Sequence, residues 1–188
     1  MRGNTYSKKQ SSEQISRKLS EFIKEIQYKN RNPVDNNVLK MLQEIETNPE
    51  LLFDSQQHLY RSRIVHSKDK LNGEYPFFGF GKDGSFVAPS ECTKDMRANY
   101  RYIPYLYCAT RPYLSVVEVR PRLGARVSVA RIRVNERLRL LDFSLQNYPK
   151  GMKPVKINLF YALSQLYSKP VTEDDDTLDY IPTQYIAE

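Results

Sequence analysis

The sequence predicts an α+β domain with a small helical hairpin at its N-terminus. Apolar residues recur at helical spacing in the first fifty positions, segments of strand character follow between residues 58 and 143, and two further helical segments close the chain. The 188 residues suit one domain of ordinary size with a short annex: 1–55 as the helical extension and 56–188 as the main domain. Hydrophobic residues at 40% and charged residues at 27% allow a core and argue against wholesale disorder.

Residues 1–10 are polar and basic. They read as disordered and lack the apolar stretch of a secretory signal. From Ser12 to Tyr28 the positions Ile15, Leu19, Phe22, Ile23 and Ile26 mark one face of a helix. Asn32-Pro33 breaks it. Asp35 is expected to cap a second helix with the face Val38, Met41, Leu42 and Ile45, which Asn48-Pro49 ends. His58–Val65 reads as a strand. Residues 67–100 are loop-rich, and Pro76–Phe86 mixes glycine with four phenylalanines. A loop of this length inside a domain is usually functional or a lid, yet no strand-to-helix context surrounds it, so no nucleotide-binding glycine loop is assigned.

Tyr102–Ala109 reads as a buried strand. Thr110 is placed as the cap of a helix with Pro112 in its first turn, running to about Arg120 and stopped by Pro121. Leu123–Val134 is strand-like, but Val127 and Val129 fall on the face opposite Ile132 and Val134, so a bulge near Ala130 is expected. Leu138–Phe143 reads as a short strand. Pro154–Leu166 forms a helix with two apolar stripes. A last helix opens near Pro182, and the sequence reads as stopping inside it. No run of 18 apolar residues exists to cross a membrane as a helix.

The net charge is +7, unevenly placed. Residues 97–139 hold ten Arg, no Lys and two acids, Glu118 and Glu136, whereas residues 171–188 hold six acids and no base. Guanidinium groups fork onto phosphates and carboxylates and stack on rings, so the middle of the chain suits a phosphate-bearing ligand or an acidic partner. Two cysteines, Cys92 and Cys108, are too few for a disulfide framework and have no zinc spacing, so a reducing, cytoplasmic setting is expected.

One carboxylate stands out. In the helix from Arg111 to Arg120 the apolar face is drawn through Leu114 and Val117, and Glu118 adjoins that stripe. It is either a helix-edge residue paired with Arg122 or Arg97, or a carboxylate held in a cleft among Arg and Tyr groups. The second arrangement would stabilise positive charge developing at a ribose carbon during glycosidic cleavage.

In order along the chain, Tyr60-Arg61-Ser62-Arg63, Arg97-Ala98-Asn99, Ile103-Pro104-Tyr105-Leu106-Tyr107-Cys108-Ala109, Ser115-Val116-Val117-Glu118-Val119-Arg120-Pro121 and Tyr180-Ile181-Pro182-Thr183-Gln184-Tyr185-Ile186-Ala187-Glu188 resemble the RES-domain family. The resemblance spans residues 58–188, about 70% of the chain. It implies an ADP-ribosyltransferase-like α+β fold. It also implies the activity of that family's toxins: cleavage of the nicotinamide–ribose bond of NAD, by phosphorolysis or hydrolysis, with ADP-ribosyl transfer to a protein in some members. NAD is then a substrate, no metal is implied, and a protein antitoxin is the implied partner.

Carried over by position, the resemblance makes Arg61 the first basic contact to the phosphates or nicotinamide ribose, with Arg63 its rival. Arg97 becomes the second basic contact, Tyr107 a pocket-lining ring, and Glu118 the catalytic acid. The family's signature Ser lies in a strand beyond the helix that opens near Pro182, and the 188 residues stop before it. Two other readings therefore stand beside the enzyme: a RES-like protein that binds without catalysis, and a nucleic-acid module built on the interleaved Arg and Tyr residues, which the acidic tail disfavours.

Overall fold

The computed structural model describes residues 3–33, 35–43, 52–54, 56–74, 78–140, 142–143, 154–169 and 177–188. In chain order the elements are α1 (Gly3–Tyr28), α2 (Asn37–Gln43), β1 (Leu52–Phe53), β2 (His58–Ile64), α3 (Lys82–Ser85), α4 (Pro112–Glu118), β3 (Val127–Arg133), β4 (Leu138–Arg139), α5 (Pro154–Ser168) and α6 (Ile181–Ala187). Single 3-10 turns occupy Ser90–Cys92 and Thr177–Tyr180. Helices with short antiparallel strand pairs make this an α+β chain in the coarse sense. Two compact units divide it. The helical unit comprises Met1–Leu51, Asp95–Asn99 and Leu140–Glu188, and the sheet unit comprises Leu52–Lys94 and Tyr100–Arg139. The first two helices thus share a unit with the last two, and the division does not fall at residue 55.

In the helical unit, α1 follows its periodicity. Ile15 is buried with Leu159, Phe160 and Leu163 of α5, while Leu19, Phe22 and Ile26 are buried with Val38 of α2 and Ile181 of α6. Each such side chain contributes roughly 1.5–3 kcal/mol on leaving water. The helix begins at Gly3, so residues 3–10 are helical where disorder was expected. Once a helix is nucleated by packing downstream, each further residue of tolerable propensity adds a hydrogen bond at little cost. α1 ends where the Lys29 and Asn30 N–H groups both donate to the Glu25 carbonyl at 2.8 Å. The cap of α2 is Asn36, whose Oδ1 accepts from the Val38 N–H at 2.7 Å, and not Asp35. Asp35 instead pairs with Lys40 at 2.5 Å, which holds its carboxyl below the ordinary range. Ile45 and the expected stop at Asn48-Pro49 lie outside the described residues.

In the sheet unit, β2 and β3 pair antiparallel in unbroken register from His58↔Arg133 to Ile64↔Val127. Arg61 faces Ala130 across the pair, so the expected bulge is absent. None is needed, because apolar residues occupy both faces of β3, and Val134 is buried just beyond the strand. There its N–H donates to the Gln57 carbonyl and its carbonyl accepts from the Gln56 N–H, each at 3.0 Å. β4 pairs with β1 through Leu52↔Arg139 and Phe53↔Leu138, and covers only the start of the strand expected over Leu138–Phe143. Phe143 belongs to the helical unit, where its ring stacks on Tyr167 at 5.1 Å.

The buried strand expected over Tyr102–Ala109 does not form. The only pairing of this segment among the described residues is one bridge, Ala109 with Tyr60. Tyr102 has φ +70° and Pro104 has no N–H to give a ladder, so the segment forms no strand, and exposed and half-buried residues alternate along Ile103–Cys108. Tyr102 and Ile103 are exposed.

Candidate functional site

The two faces of the β2–β3 pair carry different chemistry. Alternation sends Arg61, Arg63, Ala130 and Ser128 to one face, and Tyr60, Ser62, Val129 and Arg131 to the other. α4 lies across the Ser62 face. Ser115 of α4 donates to the Pro112 carbonyl at 2.7 Å, and its buried hydroxyl accepts from Ser62 Oγ at 2.7 Å. The helix starts at Pro112 with Arg111 at the cap position and no side-chain cap, so Thr110 does not take that role, and it ends at Glu118 with Arg120 at φ +45°.

This packing corrects the face assigned to α4. Its buried residue is Ser115, whereas Leu114 and Val117 are 45% and 50% exposed. Glu118 adjoins that outward stripe and is exposed. Among the described residues it makes no salt bridge, so neither Arg122 nor Arg97 is its ion-pair partner. A hydroxyl pair, which is short and fully satisfied, seats this helix closer to the strand than a Leu or Val would.

The opposite face holds the loop rich in phenylalanine. Arg61 Nη1 donates to the Ser85 carbonyl at 3.1 Å, and Arg63 Nη1 donates to the Gly84 carbonyl. The Arg63 guanidinium lies over the Phe80 ring, 4.1 Å from its centroid. Ser128, opposite Arg63, accepts from the Phe80 N–H at 3.0 Å. Gly79 permits this approach, since a Cβ there would lie 2.9 Å from Ser128 Oγ. The two arginines therefore pin α3 and its flanks to the sheet. Burial, then the charge of Arg63, lowers the Arg61 pKa.

Cys108 is half-buried near Arg61. Burial pushes its thiol pKa up, and the Arg61 charge partly opposes that. Carrying the Tyr60–Ala109 bridge one residue further sets Cys108 opposite Arg61. Exposure then alternates: Pro104, Leu106 and Cys108 are half-buried while Tyr105 and Tyr107 are exposed. That alternation directs Tyr107 to the other face, the side of Ser62 and α4. Arg61, Arg63 and Cys108 thus come together, and Tyr107 and Glu118 fall on the reverse side of the strands.

Arg97 belongs to the helical unit. Its Nη1 donates to the Leu166 carbonyl at 2.9 Å and its Nη2 to the Lys169 carbonyl at 2.5 Å, and its guanidinium approaches the Tyr180 ring at 5.8 Å. It caps the C-terminal end of α5, where a cation meets orphan carbonyls and the negative end of the helix dipole. Nearby, Gln184 of α6 holds the segment around Arg97 through bonds from Nε2 to the Met96 and Asn99 carbonyls at 2.9 and 2.8 Å.

Beside β3, the pinned loop forms one wall of an open-sided cavity of about 880 Å³. Phe78, Phe80, Phe86, Lys82, Arg131 and Arg133 line it, together with Asn135 and with Asp83 as its carboxylate. The loop lacks the strand-to-helix setting that would mark its glycines as a nucleotide site. The available signal is different: rings and a Lys in a long loop, and alternate arginines, Arg131 and Arg133, on a strand that borders the same cavity. Among the described residues no His, Cys, Asp or Glu group is arranged to hold a metal ion, and no helix is long and apolar enough to cross a membrane. Both cysteines are free thiols.

No protein-family model, no curated protein and no solved structure matches the chain.

Proposed function

We propose that the chain is an NAD-consuming enzyme of the RES toxin kind, which binds NAD in the sheet unit and cleaves its nicotinamide–ribose bond. The observation that carries the binding half is the cavity beside β3. Its volume of about 880 Å³ falls in the usual range for small-molecule sites, and it combines aromatic walls with Lys82, Arg131 and Arg133. A dinucleotide offers the complementary groups: planar bases for Phe78 and Phe86, and a pyrophosphate for the guanidiniums. In this reading Arg61 and Arg63 act by holding the loop that forms the wall of the site, and they do not themselves line the cavity. The ordered motif series, including Glu118, supports the cleavage half, and a protein antitoxin is the implied partner.

A second reading is favoured by one specific observation. Glu118 is exposed on α4, across the strands from Arg61 and Arg63 and outside the cavity lining. A protein built this way would bind NAD without cleaving it. The two readings separate in one experiment. NAD is incubated with the wild type, Glu118→Gln and Asp83→Asn, and free nicotinamide is followed while binding is measured by calorimetry. Release that Glu118→Gln abolishes without loss of binding supports the enzyme. Release that only Asp83→Asn abolishes moves the chemistry into the cavity. Binding with no release in any of the three supports the second reading, and absence of binding sinks both.

A further inference from the structure

We propose that the sheet unit binds single-stranded nucleic acid along the surface of residues 101–126, with bases stacked on its outward tyrosines and phosphates held by its arginines. This surface is distinct from the cavity, and the inference does not rest on NAD being a ligand. Its rings face water: Tyr105, from the segment expected as a buried strand, is 39% exposed, and Tyr113 of α4 is 74% exposed. Arginine is interleaved with them. The stretch 101–126 carries five Arg against one acid, Glu118. Arg111 and Arg122 are exposed, and among the described residues neither is in a salt bridge.

The surface is also held in shape before anything binds. The Ala109 N–H donates to the Tyr60 carbonyl and the Tyr60 N–H to the Ala109 carbonyl, each at 2.8 Å. The Tyr102 N–H donates to the Thr93 carbonyl at 3.2 Å, and the Ile103 N–H to the Tyr100 carbonyl at 3.1 Å. Rings on a pinned backbone lose little further freedom on binding. Alternate exposure puts Tyr105 and Tyr107 on one side, two residues apart. At about 3.3 Å per residue their separation is ~6.6 Å, close to twice the ~3.4 Å rise between stacked bases, so one base fits between them.

The occupant follows from these features. A duplex hides the π-faces of its bases, and α4, at seven residues, is too short to read a groove. An acidic peptide would satisfy the arginines but not the rings. A single strand satisfies both, in the manner of stacking platforms beside a basic track. The acidic residues of 171–188 lower the net charge of the chain, but a polyanion is held by charges within about 10 Å of it at 0.1 M salt, where the local balance decides.

The test uses the full chain and a short fluorescent oligothymidylate, read by anisotropy across a salt series. Three competitors are added: unlabelled oligothymidylate, a duplex of equal charge, and polyglutamate. The expected result is binding that the single strand displaces best. Tyr105→Ala and Tyr113→Ala each weaken it by roughly 5- to 150-fold at unchanged salt slope. Tyr105→Phe and Tyr113→Phe retain it, which separates lost stacking from misfolding. Arg111→Gln with Arg122→Gln makes the slope of log K against log salt shallower by about 1.4. Equal displacement by polyglutamate or by duplex overturns the proposal, as do folded Tyr→Ala variants that bind like the wild type and an absence of binding at low salt.

Discussion

Replacing Arg63 by Ala removes two interactions from the wall of the cavity: the charged hydrogen bond to the Gly84 carbonyl and the cation–π contact with Phe80 at 4.1 Å. A hydrogen bond with one charged partner contributes about 1.5–3 kcal/mol net, and a partly exposed cation–π pair about 0.5–1 kcal/mol. The site is half-exposed, so the lower end applies, and the loop should open more readily by about 2 kcal/mol. That is a ~30-fold rise in the open population. Hydrogen exchange reads it directly. The Gly79 N–H donates to the Asn72 carbonyl at 2.9 Å, the Phe80 N–H to Ser128 Oγ at 3.0 Å, and the Ser85 N–H to the Gly81 carbonyl at 2.9 Å. In Arg63→Ala these three amides should exchange roughly 30-fold faster while those of α5 keep their rates. NAD binding should weaken along with loop order. If the three amides keep their protection while NAD binding is abolished, Arg63 is a direct ligand contact and its assignment as a support for the loop is refuted.

Three further outcomes are expected. Leu163 is 0% exposed within the α1–α5 cluster, so Leu163→Ala should cost about 2.7–5 kcal/mol, read as a lowered urea midpoint at unchanged slope. Arg97→Ala removes two hydrogen bonds from a cation to the end of α5 and should cost about 3 kcal/mol in the same assay, with the affinity for NAD unchanged, whereas a phosphate contact would show the reverse. Cys92 is exposed and Cys108 half-buried with its thiol pKa raised, so iodoacetamide should label Cys92 first. The Cys108 proton is held more tightly in the folded chain. Its contribution to stability is therefore full below about pH 8.5 and is lost as pH rises through the higher folded pKa, a loss that Cys108→Ala should remove from the alkaline limb of a stability profile.

Where burial follows a period, the sequence was legible. Ile15, Leu19, Phe22 and Ile26 recur at steps of four, three and four, and all four are buried. β2 and α5 likewise run close to the expected bounds. Misreadings concentrate in the sheet unit, and they share a cause. Apolar and aromatic character was taken as burial, but in this unit the buried side chains include Ser62, Ser115, Ser128 and Thr93, while Tyr102, Leu114 and Val117 face outward. A helix seated on a strand through two hydroxyls leaves no hydrophobic stripe to find. Of the site residues read from the motifs, Arg61 and Arg63 do converge with Cys108. Arg97 was indistinguishable in sequence from a ligand contact, because a guanidinium that caps a helix and one that holds a phosphate meet the same kind of oxygen acceptor.

The contrast between the units says how ligands should act on them. Buried hydrophobics cluster in the helical unit, and Val134 is the one such residue of the sheet unit among those described. A unit with a hydroxyl interior and outward rings has little apolar burial to stabilise it, and so depends more on what binds it. A ligand at one hundred times its Kd adds about 2.7 kcal/mol to the unit that holds it. The gain should appear only in amides whose opening disrupts the bound site. NAD in the cavity should slow exchange at Phe80 and Ser85, whereas an oligothymidylate on the tyrosine surface should slow it at Ala109 and Ile103. Leu163 and its neighbours in α5 should respond to neither. Protection of Phe80 by the oligonucleotide, or of Ala109 by NAD, would mean that the two surfaces are one site, and that the separation drawn between cavity and platform fails.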